Sequence, residues 1–373
     1  MIQIRFVWPK PTQVLIYGEL GEIFLRKVVP SSYSIEVLPI REGLPVTIRL
    51  SFFRQCLINY VRRKLSLRQA YFSALIDEFK PRAIITFIDN NTVLGRYAEL
   101  RSDVLVIAIQ NAFRSEATIA KQVALYYSLG DVTKEIFLET NSSFQRIESV
   151  GSMLLGLYLA ENVFGRDDYE IVFVSSYRES WKNDRYESSR ALLDAHQTVF
   201  SHLLRYAKAH RNKLVVLSKG KVAKEGEHYA EEKEFYHQLA KGAEFTIVST
   251  VKDTFKSYRT ALNANLVIAI DSTLAYEVLS VGRKTIFGWV SNTYLESHKD
   301  AVRNTKYLPE SLVLNNDSYD EFHEKVTALI KLRPEDYEII IEKSKSKCVT
   351  QDINNPPHLV IEREMRRHIE QSD

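Results

Sequence analysis

The residues with the most chemistry in them stand directly after short apolar runs. In LVIAIDSTLAYEVLSVG the apolar stretch 266–270 leads straight into Asp271, Ser272 and Thr273, and Glu277 follows four residues after Thr273. Such oxygens at a helix start accept hydrogen bonds from its free N–H groups. Those same N–H groups, with the helix dipole, also suit a phosphate, to which the hydroxyls can donate. Helix capping and phosphate binding are both open from the pattern alone. Glu277 shares a helix face with Thr273, where it either reaches ribose hydroxyls or stands in solvent. Gly282 suits the C-terminal cap of the same helix.

Other apolar runs end in the same way. ITFIDNN delivers Asp89, Asn90 and Asn91, and VIAIQNAFR delivers Gln110, Asn111 and Arg114. Asp89 could serve as a general base or hold a substrate hydroxyl, with the amides binding polar ligand groups; an Asp-Asn-Asn turn capping the next helix is the plainer alternative. FVSSYRE ends at Ser176 and Arg178, LSKGK at Lys219 and Lys221, and Arg259 lies in the SYR shortly before residue 266. Cations at such places suit phosphate or carboxylate groups, though each taken singly is also an ordinary solvated charge. The nine histidines form no HxxxH or HExxH pair, and Cys56 and Cys348 make no metal-ligand spacing, so no metal site is expected. A serine elbow, a P-loop and a GxGxxG fingerprint are all absent from the sequence.

Positioning these residues is the task of short strands alternating with helices, the pattern of an α/β fold with parallel strands. Strands are expected over 13–17, 34–38, 83–88 and 104–109, then over 170–174, 213–217, 244–248, 266–270 and 285–287. Apolar residues fall at helical spacing over 52–79, and helices are expected over 188–209, 231–241, 255–263, 274–281 and 357–371. Two such sets imply two Rossmann-like domains, 1–162 and 163–345, with the break in ENVFGRDD. Residues 346–373 read as a C-terminal helical segment that can pack back on the first domain.

The 373 residues, 45% hydrophobic and 11% aromatic, suffice for a sizeable core. A net charge of +3 gives no bulk attraction to nucleic acid, and no nucleic-acid partner is expected. The N-terminal residues read as a first strand rather than a signal peptide, and no stretch approaches the ~20 apolar residues that span a bilayer. A cytoplasmic protein is the expectation. Residues 43–76 contain no Asp or Glu, while Arg49, Arg54, Arg62, Arg63, Lys64 and Arg68 lie among five aromatic residues. Segment 49–72 could therefore make peripheral contact with the inner membrane; a basic outer face on a core-packed helix is the alternative.

The ordered series ITFIDNN, IQNAFR, FVSSYRE and SYRTALNANLVIAIDSTLAYEVLSVGRKTIF resembles that of bacterial surface-carbohydrate biosynthesis proteins. These are relatives of two-domain GT-B glycosyltransferases, including Kdo transferases that use CMP-Kdo. The resemblance covers about residues 85–287, and its last block is the most specific. Where the family usually has glycine after Gln-Asn, this chain has Ala112. The resemblance implies two Rossmann-like domains with parallel sheets facing a central cleft. It implies a glycosyltransferase moving a sugar, Kdo or a related ulosonic acid from a CMP-sugar, onto a surface polysaccharide or glycolipid, as in lipopolysaccharide or capsule synthesis. The partners are then a nucleotide-sugar donor and a glycan or glycolipid acceptor, with no further cofactor and no metal. Carried over, Ser272 and Thr273 hold the donor phosphate and Glu277 the ribose, while Asp89, Gln110 and Asn111 face the acceptor or transferred sugar. Asp89 is the leading candidate for base or nucleophile and Glu179 the second. A polyol-phosphate transferase, a sugar-nucleotide epimerase, or a non-enzymatic nucleotide-sugar-binding assembly protein are the alternatives.

Overall fold

The computed structural model describes residues 4–40, 43–113, 122–140, 143–161, 168–178, 181, 187–219, 225–250, 253, 255–270, 272–288, 290, 307–352 and 354–371. Two compact units emerge: residues 1–157 with 352–373, and residues 158–351.

The first unit runs β1 (Ile4–Phe6), β2 (Val14–Tyr17), α1 (Glu22–Val28), β3 (Ile35–Leu38), β4 (Leu44–Val46), α2 (Leu50–Val61), α3 (Leu67–Phe79), β5 (Ala83–Thr86), α4 (Thr92–Leu100), β6 (Leu105–Ile109), β7 (Gln122–Ser128), α5 (Asp131–Glu139) and β8 (Ser143–Ser149) into α6 (Met153–Glu161). Its main sheet is parallel throughout, in the order β3-β2-β5-β6-β7-β8, beside a separate parallel ribbon of β1 and β4. The strands β2 and β5, VLIY and AIIT, are buried at every position. Continuous apolar runs of this kind belong to strands covered on both faces.

The helical spacing over 52–79 resolves into two helices, α2 and α3. Lys64 takes a left-handed φ of 52°, which ends α2. Ser66 then opens α3 with a capping box, its hydroxyl accepting from Gln69 N while the Gln69 side chain accepts from Ser66 N. The strands β7 and β8 were not anticipated. SFQRIES is a mostly polar edge strand whose two apolar residues, Phe144 and Ile147, are three apart, so it carries neither a continuous apolar run nor a period of two. Ala112 keeps φ negative, so its position makes no demand for glycine.

The second unit runs β9 (Tyr169–Val174), α7 (Glu187–His210), β10 (Leu214–Leu217), α8 (Glu225–Ala240), β11 (Thr246–Val248), α9 (Lys256–Leu262), β12 (Ala264–Ala269), α10 (Thr273–Ser280), β13 (Thr285–Gly288), β14 (Val313–Leu314), α11 (Tyr319–Lys331) and α12 (Pro334–Cys348). The sheet order is β11-β10-β9-β12-β13-β14, all parallel. Numbered within the unit this is 3-2-1-4-5-6, the doubly wound order in which ligands bind outside the carboxyl ends of the strands where the order reverses. The reversal lies between β9 and β12.

The chain then returns to the first unit as α13 (Pro357–Gln371), burying Ile361, Met365 and Ile369. Glu364 of α13 pairs with Arg146 of β8 at 2.9 Å. Among the described residues no helix is long and apolar enough to cross a membrane.

Candidate functional site

In the second unit the residues after β9, β10 and β12 meet at the carboxyl edge. Ser175 turns the chain after β9: its Oγ accepts from Tyr177 N at 3.1 Å and from the Tyr236 hydroxyl at 2.7 Å. The Ser176 N–H donates to Nε2 of His196 at 3.1 Å, and His196 Nδ1 faces the Leu192 carbonyl at 2.8 Å. Those two partners assign the proton to Nδ1 and leave Nε2 as acceptor. His196 is fully buried, and the loss of hydration pushes its pKa down to about 4, against the Leu192 carbonyl and with help from the Lys219 charge. The imidazole is therefore a neutral bracket for the Ser176 backbone.

After β10, the buried Glu232 carboxylate takes both the Ser218 hydroxyl, at 2.7 Å, and the Lys219 N–H, at 3.2 Å. This fixes the turn so that Lys219 Nζ reaches the Ser176 carbonyl at 3.4 Å. A cation thus stands over the end of β9. Arg178, two residues past Ser176, is exposed.

After β12, Ser272 takes the extended N-cap position of α10, with φ −143° and ψ 123°, yet its side chain makes no capping hydrogen bond. Ser272 and Thr273 are half-buried. The side chain of Glu277 is not in solvent. It is 5% exposed, and the Tyr258 hydroxyl donates to its Oε1 at 2.9 Å. Tyr258 itself stacks on Tyr158, with centroids 5.7 Å apart. Arg259 is exposed and pairs with Asp253 at 2.7 Å.

In the first unit Asp89 lies just past β5, only 3% exposed, with the Tyr126 hydroxyl donating to its Oδ2 at 2.7 Å. Asn90 is exposed. Asn91 caps α4, its Oδ1 accepting from Val93 N at 2.8 Å and Leu94 N at 3.3 Å, and its side chain also meets the phenol of Tyr17. Gln110 is buried and ties the loop after β6 together: its Oε1 accepts from Leu129 N and the Thr133 hydroxyl, and its amide donates to the Ala112 carbonyl. Gln110 thus positions its neighbours, among them the half-buried Asn111. Arg114, Glu179, Lys221 and Asp271 lie outside the described residues.

The structure gathers Ser176, Lys219 and the 272–273 helix start at one sheet edge, and Asp89, Asn91 and Gln110 at the edge of the other sheet. It adds His196, Glu232 and Tyr126, which the sequence reading did not single out, and places Tyr258 of the SYR segment on Glu277. His196 is a polar residue inside the apolar face of ALLDAHQTVF, a signal that marks a buried partner without saying whose.

Two parallel doubly wound units, each with polar residues at its carboxyl edge, define a GT-B-like α/β protein. Solved structures agree with the fold. UDP-GlcNAc 2-epimerase from Neisseria meningitidis, bound to UDP-GlcNAc, superposes with a TM-score of 0.53 at 12% identity, covering 96% of this chain and 99% of that one. The S. aureus MnaA–UDP structure gives 0.55 at 11% identity, covering 97% and 96%. The wall teichoic acid polymerase TagF, as the H444N variant with CDPG, gives 0.55 at 10% identity, covering 96% and 89%. No curated protein matches. Residues 135–355 match the family model described as "putative O-antigen biosynthesis protein", and the chain belongs to that family.

Proposed function

We propose that this protein is a glycosyltransferase of surface-glycan synthesis that takes its sugar from a nucleotide donor, CMP-Kdo or a related CMP-ulosonic acid. The observation that carries the reading is the edge at the β9/β12 reversal. There Lys219 reaches the end of β9 and the α10 start presents N–H groups that Ser272 does not cap. In transfer, the bond between the anomeric carbon and the donor phosphate oxygen breaks and its electron pair stays on the phosphate. Fixed N–H dipoles and a cation are the groups that stabilise such charge, and with them transfer proceeds without a metal; loss of activity in EDTA would contradict this. The acceptor hydroxyl attacks the anomeric carbon and its proton passes to a carboxylate. Asp89 is assigned that role, held in one orientation by the Tyr126 hydroxyl.

Two measurements test the proposal. Calorimetry with CMP, CDP, UDP and GDP reads the nucleotide, and a cytidine preference is expected. Asp89→Asn should keep the nucleotide Kd and lose about 10²–10⁴ in kcat. Undiminished transfer by this variant would remove Asp89 from the chemistry.

An epimerase reading has its own support, since UDP-GlcNAc 2-epimerase structures match nearly the whole of this chain in fold. Incubation with UDP-GlcNAc alone, read by NMR of the C2 configuration, separates the two. Epimerisation without acceptor would replace the transferase reading.

A further inference from the structure

The outward face of α2 is apolar where a surface helix should be polar. Its inward contacts are clear: Phe52 packs edge-on against Tyr71 with centroids 5.1 Å apart, and buried Asn59 donates to the Ala70 carbonyl at 3.4 Å. At 3.6 residues per turn, Leu50, Phe53, Leu57, Tyr60 and Val61 form a stripe about 100° wide on the opposite side. All five are exposed, Leu50 at 85% and Leu57 at 64%. An amphipathic helix of a globular unit turns its apolar stripe to the core; this one buries a few residues and turns the larger stripe to water.

The adjoining ribbon behaves alike. In β1 and just after it, Ile4, Phe6 and Trp8 are 59%, 64% and 63% exposed. The ribbon is tied to the start of α2, because Val7 N donates to the Val46 carbonyl and the Arg49 guanidinium to the Pro9 carbonyl at 2.6 Å. A cluster of exposed apolar side chains along one helix face, with more on the ribbon joined to its start, marks an interaction site.

The charge around the stripe selects the occupant. Residues 43–76 contain no acid. Arg54, Arg62 and Lys64 are exposed, with no ion pair recorded among the described residues. We propose that α2 and the β1–β4 ribbon form a docking face for an anionic phospholipid bilayer, with the stripe entering the headgroup–acyl boundary and the three cations meeting lipid phosphates. A second copy of this chain fits less well, since a two-fold contact through this face would bring like charges together. Exposed leucines and valine suit hydrocarbon, not stacked bases. This inference stands independently of the donor and reaction proposed above.

The test is sedimentation of the full chain with phosphatidylcholine vesicles, with and without phosphatidylglycerol. Binding is expected to the anionic vesicles and to fall steeply with salt. Phe53→Ser/Leu57→Ser should lose at least tenfold in partitioning, and Leu50→Ser repeats the test at a more exposed site. Each of Arg54→Gln and Arg62→Gln should lower partitioning about fivefold at low salt. Matching thermal melts establish that the variants are folded. Failure of the wild type to bind, equal binding to neutral vesicles, or full binding by the folded apolar variants overturns the proposal. So does a wild-type dimer that these substitutions render monomeric while vesicle binding is absent.

Discussion

The buried imidazole of His196 ties the stability of the second unit to pH. Its pKa is about 4 in the folded chain against an ordinary 6.5. Between those values the unfolded chain binds the proton and the folded one does not. Stability is therefore complete above pH 6.5 and is lost as pH falls toward 4, by about 3 kcal/mol for a shift of this size. His196→Gln should flatten that part of the stability–pH curve, measured by urea unfolding across the window. An unchanged slope would mean that the imidazole is protonated in the folded state. Glu277 accepts a hydrogen bond from the Tyr258 hydroxyl. Tyr258→Phe should cost about 1–3 kcal/mol by removing the hydroxyl that donates to this buried carboxylate, and calorimetric melting would show it. Asp89 and Gln110 were visible from sequence as polar residues after apolar strands. Their partners Tyr126, Leu129 and Thr133 were not, because they come from β7, the turn that follows it and the start of α5, in a region with no anticipated element.

At the level of elements, strand ends were the most readable feature. Residues such as 266–270 and 83–85 are uniformly apolar because both faces are covered, and punctuation by Asp, Asn and Ser marks where they stop. The α2–α3 break was harder, since apolar spacing continues across it and only the S-x-x-Q of Ser66–Gln69 announces a new start. Gly282 was readable and carries a consequence. It holds φ at +81° after α10, with its N–H on the Leu279 carbonyl and Arg283 N on the Val278 carbonyl. Gly282→Ala should destabilise by about 1 kcal/mol or slightly more, lowering Tm by about 2–4 °C in a unit of this size. A higher Tm would show that the helix end adapts. Ser66→Ala, which removes the capping box, should cost about 1 kcal/mol by the same measurement.

For the molecule as a whole, the division into two units implies that damage to one need not spread to the other. Removing residues 352–373 takes away the burial of Ile361, Met365 and Ile369 and the Glu364–Arg146 pair. Hydrogen exchange of β5 and β8 should then accelerate while β9, β10 and β12 keep their protection. Equal acceleration in both sheets would show that the two units unfold together.

The return of α13 also sets an order on the ribosome. The first unit is largely synthesised by residue 157, yet its last helix begins at Pro357. At 5–20 residues per second the intervening chain takes roughly 10–40 s to make. During that time the second unit, complete within itself, can fold on the emerging chain. The first waits with an open flank at the place where α13 will lie. The N-terminal half of this protein is thus the last to be finished.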